Sequence, residues 1–160
     1  MRERLLDAAE HLIARHGYES ASLRDIGVRV GVSNATVLHH FGSKLSLYRA
    51  VLDRFAIALR GLVDSVAADP DEDAPAALIR FLDRFADWNR ANRNYCLIAF
   101  REFMDQVAQE SHVDVHLEAG ILQRLSEIVR RGQSEGAFRR EIDVEALVVQ
   151  LLTTVWAAEV

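Results

Sequence analysis

Apolar residues recur every three or four positions along most of the chain, which is the spacing of one face of an α-helix. Segments with this spacing end at Gly17, run from Lys44 to Val66, lie near residues 78–88, 97–107 and 117–131, and run from Val144 to the end. The acidic segment ADPDEDAP (68–75) holds both prolines and interrupts the pattern, which indicates a surface connection. No stretch alternates apolar and polar residues as a half-exposed β-strand does. The pattern predicts an all-α fold.

Two short helices are predicted between residues 22 and 42. Ser22 begins the first with a capping box, in which its side chain accepts from the Asp25 backbone and the Asp25 carboxylate reaches back. Gly31 ends this helix, and Ser33 caps the next one. Small and apolar side chains hold the pair against the first helix of the chain: Ile26, Gly27, Val30, Val32 and Val37. This spacing is typical of a helix–turn–helix, whose second helix enters the major groove of DNA.

Polar groups suited to DNA lie at both ends of the second short helix. Asn34, Ala35 and Thr36 occupy its exposed first turn, where a recognition helix meets base edges. Ser43 caps the helix that follows and places Lys44 at an amide-rich N-terminus, which suits a phosphate. We therefore predict that this segment presents a recognition helix.

Composition and charge are those of an ordinary globular protein with an uneven charge distribution. Half of the 160 residues are hydrophobic and 27% are charged, and no apolar stretch is long enough to span a membrane. The net charge is −5, yet residues 1–50 hold seven basic and five acidic residues, while residues 51–160 hold twelve and nineteen. Cys96 is the single cysteine, which excludes intrachain disulfides and CxxC metal sites and favours the cytoplasm.

The stretch AAEHLIARHGYESASLRDIGVRVGVSNATVLHHFGSKLSLYRAVLDRF resembles the DNA-binding domain of TetR-family transcriptional regulators. Its leading helix, HGYESAS connection, GVS turn, HHF ending and GSK start occur together and in order. The resemblance implies an all-helical homodimer that represses transcription from a pseudo-palindromic operator until a small molecule binds. It also implies a DNA-binding domain over residues 1–47 and a helical ligand-binding and dimerisation domain over residues 48–160.

Carried over residue by residue, the resemblance implies a set of side chains at the DNA. They are Ser22, Arg24, Ser33, Asn34, Ala35, Thr36, Leu38, His39, His40 and Lys44. Arg24 and the 34–36 turn would face bases, while Ser22, Thr36, His40 and Lys44 would approach phosphates. Leu38 stands where the family usually has tyrosine, so that one hydrogen bond to the DNA backbone is missing or an apolar contact replaces it. Gly27 replaces the more usual alanine and should loosen its helix slightly.

The aromatic side chains of the body form either a core or the lining of a ligand pocket. The predicted pocket residues are Phe55, Phe81, Phe85, Trp88, Tyr95, Phe100, Arg101, Phe103, Met104 and Trp156. Arg101 and Glu102 interrupt an apolar run and suit either an internal ion pair or recognition of the ligand. We expect an apolar or aromatic ligand with one polar group.

The last predicted helix has an apolar band wide enough to pack on its own body and on a second chain. We expect an isologous dimer interface that includes Leu125, Val148, Leu151, Leu152 and Val155, with Ile121 left unassigned. Family members usually pair two helices of each subunit. Here either the final helix is truncated at Val160, or the preceding predicted helix serves as the second.

Two other functions stay open. His112 and His116, spaced four apart beside Asp114 and Glu118, suit a metal-binding helical bundle or enzyme, although a solvated surface is the simpler interpretation. The chain has no HExxH, GxSxG, CxxC or glycine-rich phosphate loop, so we predict no catalytic, metal or cofactor site. The second alternative is an interaction module that kept the helix–turn–helix and lost DNA binding, for which Leu38 is the main argument.

Overall fold

A computed structural model describes residues 1–65, 72–107 and 119–159, and all regular structure in these ranges is α-helical. The helices are α1 (Arg2–His16), α2 (Leu23–Val30), α3 (Asn34–Phe41), α4 (Lys44–Ser65), α5 (Ala74–Ala91), α6 (Arg93–Val107), α7 (Ala119–Glu135) and α8 (Val144–Glu159). The predicted all-α fold class is confirmed. Within the described ranges, none of the helices is long and apolar enough to cross a membrane.

One helix start differs from the predicted one. Helix α5 begins at Ala74, inside the segment predicted as a connection, because the Asp73 side chain accepts from the Ala76 backbone N–H at 2.8 Å. Proline in the first turn of α5 removes an N–H that would have no helical acceptor. Helix α7 was predicted to end near the glycines of RRGQSEGAF, and it continues past Gly132 to Glu135, where the chain turns at Gly136 with φ of 79°. The predicted helical position Val66 lies outside the described residues.

The chain divides into two compact units. The first comprises Met1–Ile57 and Asn94–Val115, of which residues 108–115 are not described; the second comprises Ala58–Arg93 and His116–Val160, with residues 66–71, 116–118 and 160 not described. Helix α4 therefore contributes to both units, and the predicted domain boundary after residue 47 lies inside this helix. The assignment of separate functions to residues 1–47 and 48–160 stays a prediction.

In the first unit, α1 buries one face in the core. Leu5, Ala9 and Ile13 are buried along one face of α1, and Ile26 and Val37 are buried on α2 and α3. Each fully buried leucine, isoleucine or valine side chain stabilises a fold by roughly 1.5–3 kcal/mol. Ion pairs add to this core at its edge, since Arg54 on α4 binds Asp7 at 2.6 Å and Glu10 at 2.5 Å.

In the second unit, α5, α7 and α8 pack on one another around aromatic rings. The Phe85 ring lies 6.4 Å from Phe81 and 6.2 Å from Trp156, measured between ring centroids. Buried aliphatic residues of α7 and α8 complete this core: Ile121, Leu125, Val129, Val148 and Leu152.

Candidate DNA-binding surface

Side-chain caps fix both helices of the helix–turn–helix, as predicted. The Ser22 hydroxyl accepts from the Asp25 backbone N–H at 3.0 Å and donates to the Asp25 carboxylate at 2.6 Å. Gly31 ends α2 in the left-handed conformation, with φ of 81° and ψ of 31°. The Ser33 hydroxyl then accepts from the Thr36 backbone N–H at 3.2 Å and begins α3. The two helices are thus held at a fixed turn by local contacts.

Gly27 lets α2 approach this turn closely. A Cβ atom at Gly27 would lie 2.8 Å from the Val32 carbonyl oxygen and 3.3 Å from a methyl group of Val37. The Val32 backbone N–H also donates to the Gly27 carbonyl at 2.9 Å. Because the nearest atom belongs to the backbone of the turn, alanine cannot enter without moving it. The low helix propensity of glycine is therefore offset by a closer contact between α2 and the turn.

Helix α3 presents its predicted contact residues outward. Val37 is fully buried and holds α3 on the core, whereas Asn34, Ala35, His39 and His40 are exposed. Leu38 is 38% exposed, a large apolar side chain on an otherwise polar face. This arrangement gives α3 an accessible N-terminal turn on a rigid support.

The remaining predicted contacts differ in how free their side chains are. Arg24 is exposed on α2. The hydroxyl groups of Ser33 and Thr36 lie 3.0 Å apart and share a hydrogen bond, and Ser22 is engaged with Asp25. Ser22, Ser33 and Thr36 thus have a structural role at helix starts, to which a contact with DNA would be added.

Lys44 is held in place at the start of α4. The Ser43 hydroxyl accepts from the Ser46 backbone N–H at 3.0 Å, so that the first turn of α4 is capped. The Lys44 ammonium group donates to the Glu19 carbonyl at 2.8 Å and lies 4.5 Å from the centre of the Tyr18 ring. An ammonium group has three N–H donors, so two remain for a phosphate oxygen. The backbone N–H groups of the first turn of a helix point toward the same kind of ligand.

Sequence reasoning missed two side chains beside this surface. The Arg2 guanidinium lies 5.1 Å from the Phe41 ring, which brings a cation to the C-terminal end of α3. The Tyr18 ring supports the Lys44 ammonium group. The aromatic residue in HGYES and the basic N-terminus were visible in the sequence, but their contacts with α3 and α4 depend on the fold.

The predicted pocket residues are divided between the two units. Phe55, Tyr95, Phe100, Arg101 and Met104 belong to the first unit, and Phe81, Phe85, Trp88 and Trp156 to the second. The structure pairs Phe55 with Tyr95, whose ring centroids lie 5.2 Å apart, and groups Phe81, Phe85 and Trp156 in the second core. Met104 is 49% exposed, and the side chain of Phe103 lies outside the described part of the chain. Within each unit these rings act as core residues, and their role in a pocket stays a prediction.

Arg101 and Glu102 bind different partners. Arg101 donates to the carbonyl groups of Ile13 and Ala14, whereas Glu102 accepts from the Tyr48 hydroxyl. Burial, together with the hydrogen bond to Glu102, raises the pKa of Tyr48 well above its ordinary value. The Tyr48 hydroxyl therefore stays protonated and remains a donor.

The predicted dimer residues fall into two groups. Leu125, Val148 and Leu152 are fully buried within the chain, because α7 and α8 pack on α5. They are core residues, so the surface that a second chain could cover is narrower than the sequence pattern indicated. Leu151 and Val155 remain partly exposed on α8. Ile121, left unassigned, is buried in the same core.

The alternative metal pair, His112 and His116, lies outside the described residues. Across residues 1–65, 72–107 and 119–159, no group of three histidine, cysteine or carboxylate side chains is placed to hold a metal ion.

Residues 5–51 match the family model described as bacterial regulatory proteins, tetR family. The match covers most of α1, all of α2 and α3 and the first part of α4, which carry most of the surface described above.

Similar proteins extend this likeness to the rest of the chain. The HTH-type transcriptional repressor KstR2 of Rhodococcus jostii (strain RHA1) is 28% identical over 158 residues, which cover 98% of this chain and 77% of that relative. The HTH-type transcriptional repressor Rv3405c of Mycobacterium tuberculosis is 41% identical over 81 residues, or 50% of this chain and 39% of the relative. The solved structure of the ketosteroid transcriptional regulator KstR2 of Mycobacterium tuberculosis superposes with a TM-score of 0.81 at 21% identity, covering 99% of this chain and 81% of that one.

Proposed function

Because the chain belongs to the TetR family of bacterial regulatory proteins, we propose that it is a ligand-responsive repressor that binds a pseudo-palindromic operator as a homodimer. The observation that carries the proposal is the exposed N-terminal turn of α3, held between two capped helix starts on a buried support. We assign the chain no enzymatic activity. Operator DNA lies in the bacterial cytoplasm, and we infer that the protein acts there.

Two groups of side chains divide the work of binding DNA. Asn34 and Thr36 on α3 and Arg24 on α2 would read base edges, because an asparagine can pair with adenine and an arginine with guanine in the major groove. Lys44 and the first N–H groups of α4 would bind a backbone phosphate, which fixes the position of the protein and carries no sequence information.

The geometry of recognition supports a homodimer. One α3 helix reads only a few base pairs, so that tight and specific binding needs two half-sites. Two-fold related α3 helices would fit half-sites with centres about 34–36 Å apart, or a multiple of this distance. Leu151 and Val155, which are partly exposed on α8, offer apolar surface to a second copy.

We propose an apolar effector with one polar group. The second unit supplies aromatic surface from Phe81, Phe85 and Trp156, and it also buries the polar side chains of Asn89 and Ser126. The similar protein KstR2 of Mycobacterium tuberculosis is a ketosteroid transcriptional regulator, so that a ketosteroid is the first probe to test. A ketosteroid that binds the folded chain should raise its melting temperature as concentration increases. If neither this probe nor a panel of other apolar ligands raises it, the effector part of the proposal is wrong.

Helix α4 offers a route from effector to DNA. Its first residues carry Lys44, and its residues beyond Ile57 belong to the second unit. An effector that favours a tilted α4 would shift the population away from the spacing that fits two half-sites. Saturating effector should therefore raise the operator dissociation constant while the helix–turn–helix stays folded.

Selection of binding sites from a random duplex library tests the proposal. We expect the wild-type protein to select a pseudo-palindrome. Asn34→Ala and Thr36→Ala should change the selected bases, whereas Lys44→Ala should weaken binding to all sequences alike. If all three variants select and bind DNA as the wild type does, the assigned surface is wrong.

A further inference from the structure

Arg101 of α6 binds the C-terminal end of α1. One of its guanidinium nitrogen atoms donates to the Ile13 carbonyl at 3.0 Å and to the Ala14 carbonyl at 2.8 Å. Carbonyl groups in the last turn of a helix have no partner within the helix and carry its partial negative charge. The Gly17 backbone N–H also donates to Ile13, at 2.8 Å. Arg101 thus fixes the point at which the chain leaves α1 and enters the segment 17–19.

Glu102, the next residue of α6, fixes α4. Its side chain is almost completely buried and accepts from the buried Tyr48 hydroxyl. Burying a carboxylate without a hydrogen bond costs free energy. Conformations that keep the hydrogen bond between Tyr48 and Glu102 are therefore strongly favoured over those that break it. Two consecutive side chains of α6 therefore hold α1 and α4 at the same level of the first unit.

The Lys44 ammonium group lies on the parts that these two residues hold. The Tyr18 ring, one residue after Gly17, packs on the Tyr48 ring at a tilt of 32°, with centroids 4.7 Å apart. Lys44 lies over the Tyr18 ring and donates to the carbonyl of Glu19. Arg101 holds one side of this support through α1, and Glu102 holds the other through Tyr48.

We propose that Arg101 and Glu102 are positioning residues for the phosphate contact of Lys44. They orient segment 17–19 and Tyr48, and these in turn orient the ammonium group toward DNA. The inference rests on the proposed DNA-binding function and gives Arg101 a role different from that of a pocket residue. Since a phosphate contact carries no sequence information, losing either positioning residue should weaken binding to all sequences and leave base preference unchanged.

The salt dependence of binding to a fluorescein-labelled duplex of random sequence tests this role, and no operator is needed. Fluorescence anisotropy would give the affinity between about 50 and 200 mM salt. Log affinity falls linearly with log salt, and each lost phosphate contact lowers the magnitude of this negative slope, called the slope below, by about 0.9. We expect Lys44→Ala to lower the slope by this amount for each Lys44 in contact with DNA. Arg101→Ala should lower the slope equally. The variant that combines Lys44→Ala and Arg101→Ala should lower it no further than either substitution alone.

Matched variants separate positioning from simple loss of charge or stability. Glu102→Gln keeps an oxygen acceptor for Tyr48 and should retain the wild-type slope, whereas Glu102→Leu should lower it. Arg124→Ala removes a cation that pairs with Glu127 in the second unit and should leave the slope unchanged. Arg101→Met, which keeps an unbranched side chain but no donor, replaces Arg101→Ala if circular dichroism shows that the alanine variant is unfolded.

The outcomes distinguish the two proposals. If Lys44→Ala keeps the wild-type slope, the phosphate contact of the proposed function is wrong. If Lys44→Ala lowers the slope but the folded Arg101 variant does not, or if the two effects add, Arg101 has no positioning role. If the Glu102→Leu variant keeps the wild-type slope, Glu102 likewise has no positioning role.

Discussion

At the scale of single residues, Gly27 sets the distance between α2 and the turn. The nearest obstacle to a Cβ atom is the Val32 carbonyl oxygen, which cannot move without the turn. Overpacking typically costs about 1–3 kcal/mol, whereas replacing a helical glycine by alanine gains about 1 kcal/mol. We expect Gly27→Ala to lower the free energy of unfolding, as measured by urea titration.

Gly61→Ala is the matched control, because nothing lies within 4 Å of a Cβ atom at this position of α4. This substitution should stabilise the protein by about 0.4–1 kcal/mol. Equal stabilisation by both substitutions would contradict the close approach at Gly27.

Leu38 is a second residue with a measurable consequence. Its side chain is exposed enough for Leu38→Tyr to be accommodated without repacking the core. A tyrosine hydroxyl could donate to a phosphate, and a hydrogen bond to a charged group contributes about 1.5–3 kcal/mol, which is tenfold or more in affinity. We expect Leu38→Tyr to bind duplex DNA about tenfold more tightly than Leu38→Phe, which adds the ring alone. Equal affinities in an anisotropy titration would show that position 38 does not face the DNA backbone.

The caps and turns at Ser22, Gly31 and Ser33 could be predicted because each depends on residues within a few positions in sequence. The contacts of Arg101 could not, since its partner Ile13 is 88 residues away. A charged residue inside an apolar run signals a buried partner, but the sequence does not say which one.

At the scale of helices, the start of α5 could have been predicted from a few neighbouring residues. An aspartate before Ala-Pro is a typical N-cap followed by a proline in the first turn, which predicts a helix start. The acidic composition and the two prolines of residues 68–75 instead favour a connection, so that the two patterns conflict at this point of the sequence.

Glu72, which precedes the N-cap residue of α5, connects two helices. Its carboxylate accepts from Arg80 on α5 at 2.6 Å, and its carbonyl accepts from Arg131 on α7 at 3.0 Å.

This contact predicts a pH dependence. The hydrogen bond from Arg80 lowers the pKa of Glu72 below its ordinary value of 4.5. The stabilisation is therefore present above about pH 4.5 and is lost as the pH falls through the lower pKa of the folded state. We expect the difference in urea midpoint between wild type and Glu72→Gln to shrink as the solution is acidified in this range. A difference that is constant with pH would contradict the ion pair.

At the scale of the whole molecule, the central question is how much apolar surface of α8 stays exposed and could contact a second chain. The sequence showed a wide apolar band but could not divide it between core and surface, because that division depends on how α5 and α7 pack. Leu152 lies in the core and its neighbour Leu151 does not. The same limit explains why the aromatic residues could be identified from the sequence but not assigned to one unit or the other.

Leu151→Glu separates association from folding. Because Leu151 is partly exposed, the variant should keep the helical content of the wild type by circular dichroism while light scattering shows monomers. Val28→Glu, at a position 70% exposed in the first unit, is the control for an added charge and should leave the oligomeric state unchanged. Dimers of Leu151→Glu that bind operator tightly would exclude this face of α8 as the interface.

Sequence discrimination decides whether the protein is a specific regulator. The affinity for the duplex recovered by selection would be compared, at physiological salt, with that for a scrambled duplex of the same length and composition. We expect the selected duplex to bind at least about 10³-fold more tightly, and Asn34→Ala to remove a large part of this ratio. Equal affinity for the two duplexes would contradict sequence-specific recognition by α3.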